Sequence, residues 1–267
     1  MLSRNLEKAR AAYKNGDPEE SRRAHEAKAN SGMGPAERHT QERGKYIKSI
    51  VYGGLDGIIT TFAVVAGVAG ASLSAGVVLI MGFANLIADG ISMAVGDYLS
   101  TKSENEYNSM ERERETWEVE NYPEGEKKEM AEIYSSKGMD PKEAEQVVEL
   151  LSHNKQVWVD VMMVEELGIV EETESPLRNA IATFISFGVF GFVPLLAYVL
   201  AQFIPALASA SFIVACILTA ATLFVLGSLK VFITERNWLI SGLEMLLVGG
   251  IASTAAFAVG AALSGLA

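Results

Sequence analysis

The sequence predicts an all-α, multi-pass membrane protein with five transmembrane helices and an acidic helical domain inserted between spans two and three. Three observations lead there. Five segments reach the roughly 20 apolar residues that a helix needs to cross a hydrocarbon core of about 30 Å. The charge is blocky: residues 101–174 carry 21 Asp and Glu against 8 Lys and Arg, while 49–100 and 175–267 together hold five acidic and three basic residues. Proline and glycine then divide the acidic block into helix-length pieces. A hydrophobic fraction of 49% beside a net charge of −11 is the average of these unlike parts.

The predicted spans are about Ile50–Ala71, Ala75–Leu99, Asn179–Ala201, Leu207–Leu229 and Trp238–Leu263. All are rich in Gly, Ala and Ser, which lets helices approach closely in lipid. In "SPLRN", Ser175 suits an N-cap and Pro176 the first helical turn. Basic residues cluster at one set of span ends (Arg38, Arg43, Lys45 and Lys48; Arg178; Lys230 and Arg236), whereas the opposite loops "ASLSA" and "AQFIPALASA" are uncharged. By the positive-inside rule, the N-terminus and the acidic block face the cytosol. The expected layout is therefore a polar extension over 1–45, spans one and two over 46–100, a cytosolic acidic domain over 101–174, and spans three to five over 175–267.

Within the acidic block, Ser100–Glu120 continues the second span as helix. Pro123 opens a helix to about Ser136. "MDPKEAEQVVELL" opens another, with Asp140 as N-cap, Pro141 at the first position and Glu143 in capping-box register. "QVWVDVMMVEELG" forms a last one that stops near Gly168.

Several function classes fall away. An acidic chain lacks the basic patch that phosphate binding requires, so no nucleic-acid partner is expected. The single Cys216 makes no internal disulfide. His25, His39 and His153 have no zinc-motif spacing, and no EF-hand loop, phosphate loop or nucleophile motif occurs, so an enzyme is not expected. The N-terminus lacks an apolar signal-peptide core.

Ionisable groups inside spans are costly and point to function. Asp56 lies in "YGGLDGIITT", flanked by Gly53, Gly54 and Gly57, small neighbours that would let another helix or an ion approach its carboxylate. Asn85, Asp89 and Met93 recur every four residues, and so form one stripe on the second span, which Asp97 extends. Glu244 stands alone in the fifth. Each could instead serve as an interhelical hydrogen bond or a neutral buried acid.

In "ETWEVENYPEGEKKEM", Glu115 and Glu118, and again Glu126 and Glu129, are three apart, so each pair shares a helix face. Two antiparallel helices joined at "NYP" could unite the pairs as a carboxylate metal site, or both could be solvated surface. "VMMVEELG" sets Met162 and Met163 beside Glu165 and Glu166. Soft thioether with hard carboxylate suits a transition metal such as Fe(II) better than Mg(II) or Ca(II), although buried Met is often packing alone.

Taken together, "YGGLDGIITTFAVVAGVAGA", "ADGISMAVGDYLS", "ETWEVENYPEGEKKEM", "WVDVMMVEELG" and "SPLRNAIATFISFGVFGFVPLL" resemble the vacuolar iron transporter family from about Gly44 to the C-terminus. The resemblance implies a five-span homodimer with an ion path between subunits and a cytosolic three-helix metal-binding domain. It also implies Fe(II) export from the cytosol in exchange for protons, in a vacuolar membrane or a bacterial plasma membrane. By position, Asp56 and Met93 would line the path; Glu115, Glu118, Glu126 and Glu129, with Met162, Met163 and Glu166, would hold metal in the soluble domain. No prosthetic group is implied; Fe(II) is the cargo, with Mn(II) or Zn(II) also able to occupy the soluble site. Plant members carry a further acid soon after the position of Glu166, where this chain has "LGIV" before Glu171 and Glu172. Some bacterial relatives carry an N-terminal ferritin-like domain, for which the first 45 residues are too short. A Mn(II) or Ca(II) transporter, a non-transporting metal sensor or buffer, and a membrane iron oxidase remain as alternatives. The last lacks the Glu-x-x-His pairs typical of di-iron bundles.

Overall fold

A computed structural model describes residues 38–170, 175–229 and 237–266, with fragments of the N-terminal segment at 12, 15–20 and 22–23. Helix is the regular structure among the described residues, with no strand among them, and five helices are long and apolar enough to cross a membrane. Contacts divide the chain into two compact units, Met1–Ile91 with Ala182–Ala267, and Ser92–Ile181.

The helices are α1 (Arg38–Gly70), α2 (Ala75–Asn121), α3 (Pro123–Ser136), α4 (Pro141–Ser152), α5 (Lys155–Glu165), α6 (Pro176–Ala201), α7 (Ser211–Leu229) and α8 (Trp238–Leu263). The second span and the start of the acidic block form one helix of 47 residues. At 1.5 Å per residue that is roughly 70 Å, more than twice a hydrocarbon core. The helix that carries the third span starts at Pro176, as expected from proline's preorganisation for the first helical position, three residues ahead of the apolar stretch that begins at Asn179. A 3-10 turn, Pro205–Ala210, precedes α7. Lys230 and Arg236, used above to orient the chain, lie outside the described residues.

In the first unit, α8 packs on α1 and α7, and glycines set how closely α1 meets α6. A Cβ on Gly57 would stand 2.5 Å from the carbonyl oxygen of Phe187, and one on Gly53 would stand 2.8 Å from that of Thr183. Gly54 faces the Phe190 ring in the same way. Phe62, Phe212 and Phe257 stack in sequence, with centroids 6.4 and 5.9 Å apart.

In the second unit, each short helix ends as its sequence dictates. Gly138, at φ +101°, closes α3 in a Schellman arrangement: Met139 N–H donates to Tyr134 O at 3.2 Å and Gly138 N–H to Ser135 O at 3.0 Å. Asp140 caps α4 by accepting from Lys142 N–H, and Asn154 caps α5 by accepting from Val157 N–H. Gly168, at φ +67°, turns the chain after α5, where Ile169 N–H reaches Met163 O. Val119, Met130, Val148, Trp158, Val159, Met162 and Met163 form the apolar core between these helices. Ion pairs Arg112–Asp160 and Lys155–Glu120 tie α5 to α2, and Lys127–Glu149 ties α3 to α4. Lys137 engages Glu165, which leaves Glu166 as the acid of that pair beside the carboxylate cluster.

A candidate carboxylate metal centre

The "NYP" turn performs a specific geometric task. It reverses the chain between α2 and α3, so that Glu115 and Glu126 come together, and Glu166 joins them from the end of α5. One carboxylate oxygen from each of the three lies within 4.8 Å of the other two. Glu115 is 0% exposed and Glu126 6%. Both Glu115 oxygens, and Oε2 of Glu166, are buried with no hydrogen-bond partner. Arg114 brings a guanidinium nitrogen to 2.8 Å from Glu115 Oε1, an ion-pair distance without hydrogen-bond alignment.

Burial and mutual repulsion favour the protonated acids. Burial pushes Glu115 up to about 7, assisted by the charge on Glu166 and opposed by Arg114. Burial likewise raises Glu126 to about 7, assisted by Glu118 and Glu129. Glu166 is raised by burial and then by Glu129. A divalent cation among such converging acids would favour their ionised forms.

Glu118 and Glu129 thus belong to the same electrostatic cluster, although they sit farther out: Glu118 is part-buried and Glu129 exposed. Met162 and Met163 are buried in the apolar core. Their spacing of four and three residues from Glu166 gives all three one face of α5. Glu171 and Glu172 lie outside the described residues.

Two residues of the cluster escaped the sequence reading. Glu111 sits one turn before Glu115 on the same α2 stripe, and Arg114 donates to it from Nε at 2.8 Å. Arg114 also donates from Nη1 to Glu118 at 2.6 Å. The i, i+4 and i, i+7 spacing of Glu111, Glu115 and Glu118 was the available signal.

In the first unit, Asp56 and Asp89 lie within electrostatic reach of each other. The Asn85 amide nitrogen is buried without a partner. The glycines beside Asp56 serve the packing of α1 on α6. Met93, on the same α2 stripe, is half-buried and belongs to the second unit. Glu244 is exposed on α8.

The sequence profile of the VIT family matches residues 47–261. A vacuolar iron transporter of Toxoplasma gondii is 41% identical over 97% of this chain and 89% of its own length. One of Plasmodium falciparum is 38% identical over 98% of each chain. Vacuolar iron transporter 1 of Arabidopsis thaliana is 37% identical over 83% of this chain and 88% of its own. Coverage of this extent, with the five spans, makes the protein a multi-pass integral membrane protein that belongs to the VIT family.

Proposed function

We propose that the chain is a proton-coupled transporter that moves Fe(II) out of the cytosol by exchange for protons. The observation that carries this reading is the Glu115–Glu126–Glu166 convergence, with both Glu115 oxygens buried and without hydrogen-bond partners. Such a group costs stability when ionised and alone, and a divalent cation removes that cost. The names of the relatives supply the metal, and suggest a vacuolar membrane.

In this reading the N-terminus and the acidic unit face the cytosol, where a net negative block raises the local concentration of divalent ions. Glu115, Glu118, Glu126, Glu129 and Glu166 hold the cargo, with Met162 and Met163 adding soft sulfur that favours Fe(II) over Ca(II). Asp56 on the first span, and Asn85, Asp89 and Met93 on the second-span stripe, provide stepping groups within the bilayer. A proton taken by Asp56 as metal leaves would couple the two fluxes. A homodimer, with the path between two copies, completes the arrangement. Mn(II) is a second cargo that the oxygen-rich set admits.

The test is Fe(II) uptake into sealed proteoliposomes holding an internal pH reporter, for wild type and Asp56→Ala. Fe(II) entry with proton exit, both lost in the variant, is expected. Binding without entry would replace the transporter by a sensor or buffer, and equal transport by Asp56→Asn under every pH gradient would remove Asp56 from the coupling.

A further inference from the structure

We propose that Arg114 is a tethered counter-ion that competes with the divalent cargo for Glu118 and Glu115, and so holds the affinity of the carboxylate centre down. The inference rests on the metal-site reading above and assigns that site an internal competitor.

Three contacts carry it. Arg114 donates from Nε to Glu111 Oε2 at 2.8 Å and from Nη1 to Glu118 Oε2 at 2.6 Å, while Nη2 stands 2.8 Å from Glu115 Oε1. One guanidinium therefore addresses three carboxylates of a single helix stripe, two of them in the cargo set. Its planar fork suits this, and its charge is permanent, so no pH change removes it. The Glu115 contact is close without alignment, so the guanidinium shields that buried charge while leaving its oxygens free for a metal. Arg114 is itself 42% exposed, whereas Glu115 is fully enclosed. The guanidinium has solvent into which to withdraw, and the carboxylate has none.

A divalent ion bound to Glu115 and Glu118 would sit a few ångströms from a fixed positive charge, and the two repel. Arg114 thus stabilises the metal-free cluster and disfavours the loaded one. For a carrier this is useful, because cargo held too tightly is not released. A plain surface ion pair, common at i, i+3 and i, i+4 spacing, would leave metal affinity unchanged. A scaffold that merely orients the carboxylates would make affinity worse on removal. The three roles differ in sign.

The experiment measures anaerobic Fe(II) binding by calorimetry to the full-length protein in detergent at pH 8, where the carboxyls are ionised. Arg114→Gln is expected to lower Kd about tenfold, an order set by removing one nearby charge at a part-exposed position. Arg114→Lys, which restores the charge, is expected to return Kd toward wild type. An unchanged or higher Kd in Arg114→Gln overturns the proposal, as does a lysine variant that tightens as much as glutamine. Glu126→Gln removes a proposed ligand that Arg114 does not contact. If it binds Fe(II) as wild type does, the metal-site reading itself fails. If it loses binding while Arg114→Gln is unaltered, only the counter-ion role fails.

Discussion

Glu115 on α2 and Glu126 on α3 bring carboxylate oxygens within 4.8 Å of each other across the Tyr122–Pro123 turn, both in buried positions. Burial, with the negative charges around them, makes both acids resist ionisation.

A pH dependence follows. Glu115 and Glu126 are raised from 4.5 to about 7, by burial first in each case. A carboxyl whose folded pKa lies above its unfolded one binds its proton more tightly when folded. Its stabilising contribution is therefore complete below about pH 4.5 and is lost as pH climbs through 7. The metal-free protein should lose thermal stability between those limits and level off above. Divalent metal should restore stability chiefly above pH 7, and Kd should improve with rising pH up to the same point. Melting curves across pH 4.5–8.5, with and without Mn(II), check both signs.

Glu115→Gln keeps the shape and deletes the buried charge. At pH 8 the metal-free variant should be more stable than wild type by on the order of 1–3 kcal/mol, and Fe(II) binding should be lost. A variant that is less stable and still binds would place the ionised carboxylate in some other favourable contact.

Met163 separates ligand from packing. Met163→Leu conserves volume within the apolar core, so its cost should stay below about 1.5 kcal/mol. If its sulfur binds cargo, the ratio of Fe(II) to Ca(II) affinity should fall severalfold; an unchanged ratio would leave Met163 as core alone. Competition binding with the two ions reads this directly.

Gly57→Ala should damage the first unit, since the new Cβ meets the Phe187 carbonyl at 2.5 Å and backbone cannot swing aside. A loss of about 1–3 kcal/mol is expected from overpacking. Gly188→Ala, on α6 with nothing within 4 Å of the added atom, should be neutral or slightly stabilising. Detergent-resistance assays on the pair distinguish packing from general glycine loss.

The N-cap of α4 offers a smaller, local test. Asp140→Ala removes the acceptor for Lys142 N–H and should cost about 1 kcal/mol, while Asp140→Asn should cost little. Hydrogen exchange in the first turn of α4 reports it without involving the metal centre.

What the sequence alone determined were the features written in local periodicity and composition. The five spans needed only apolar length, so Trp238–Leu263 was legible to the residue. The helix starts at Pro123 and Pro141 needed only proline's fixed φ, with an aspartate cap at the second. The one-face pairing of Glu115 with Glu118 needed only 3.6 residues per turn. Tertiary structure decided what chain-distant packing controls. Which carboxylates meet depends on how α2, α3 and α5 close on the core around Met130 and Trp158; that closure sets Glu166, the acid named from the family resemblance, beside Glu115 and Glu126 while Glu165 pairs with Lys137. The glycines around Asp56 likewise left open whether another helix or an ion comes close, and the tertiary structure packs α6 against them. Arg114 drew no notice in the sequence, and its charge bears on the cluster only because its neighbour Glu115 is buried. Burial is a property of the whole fold, and it is burial that raises these acids above the ordinary carboxylate range and makes the cluster a candidate metal centre.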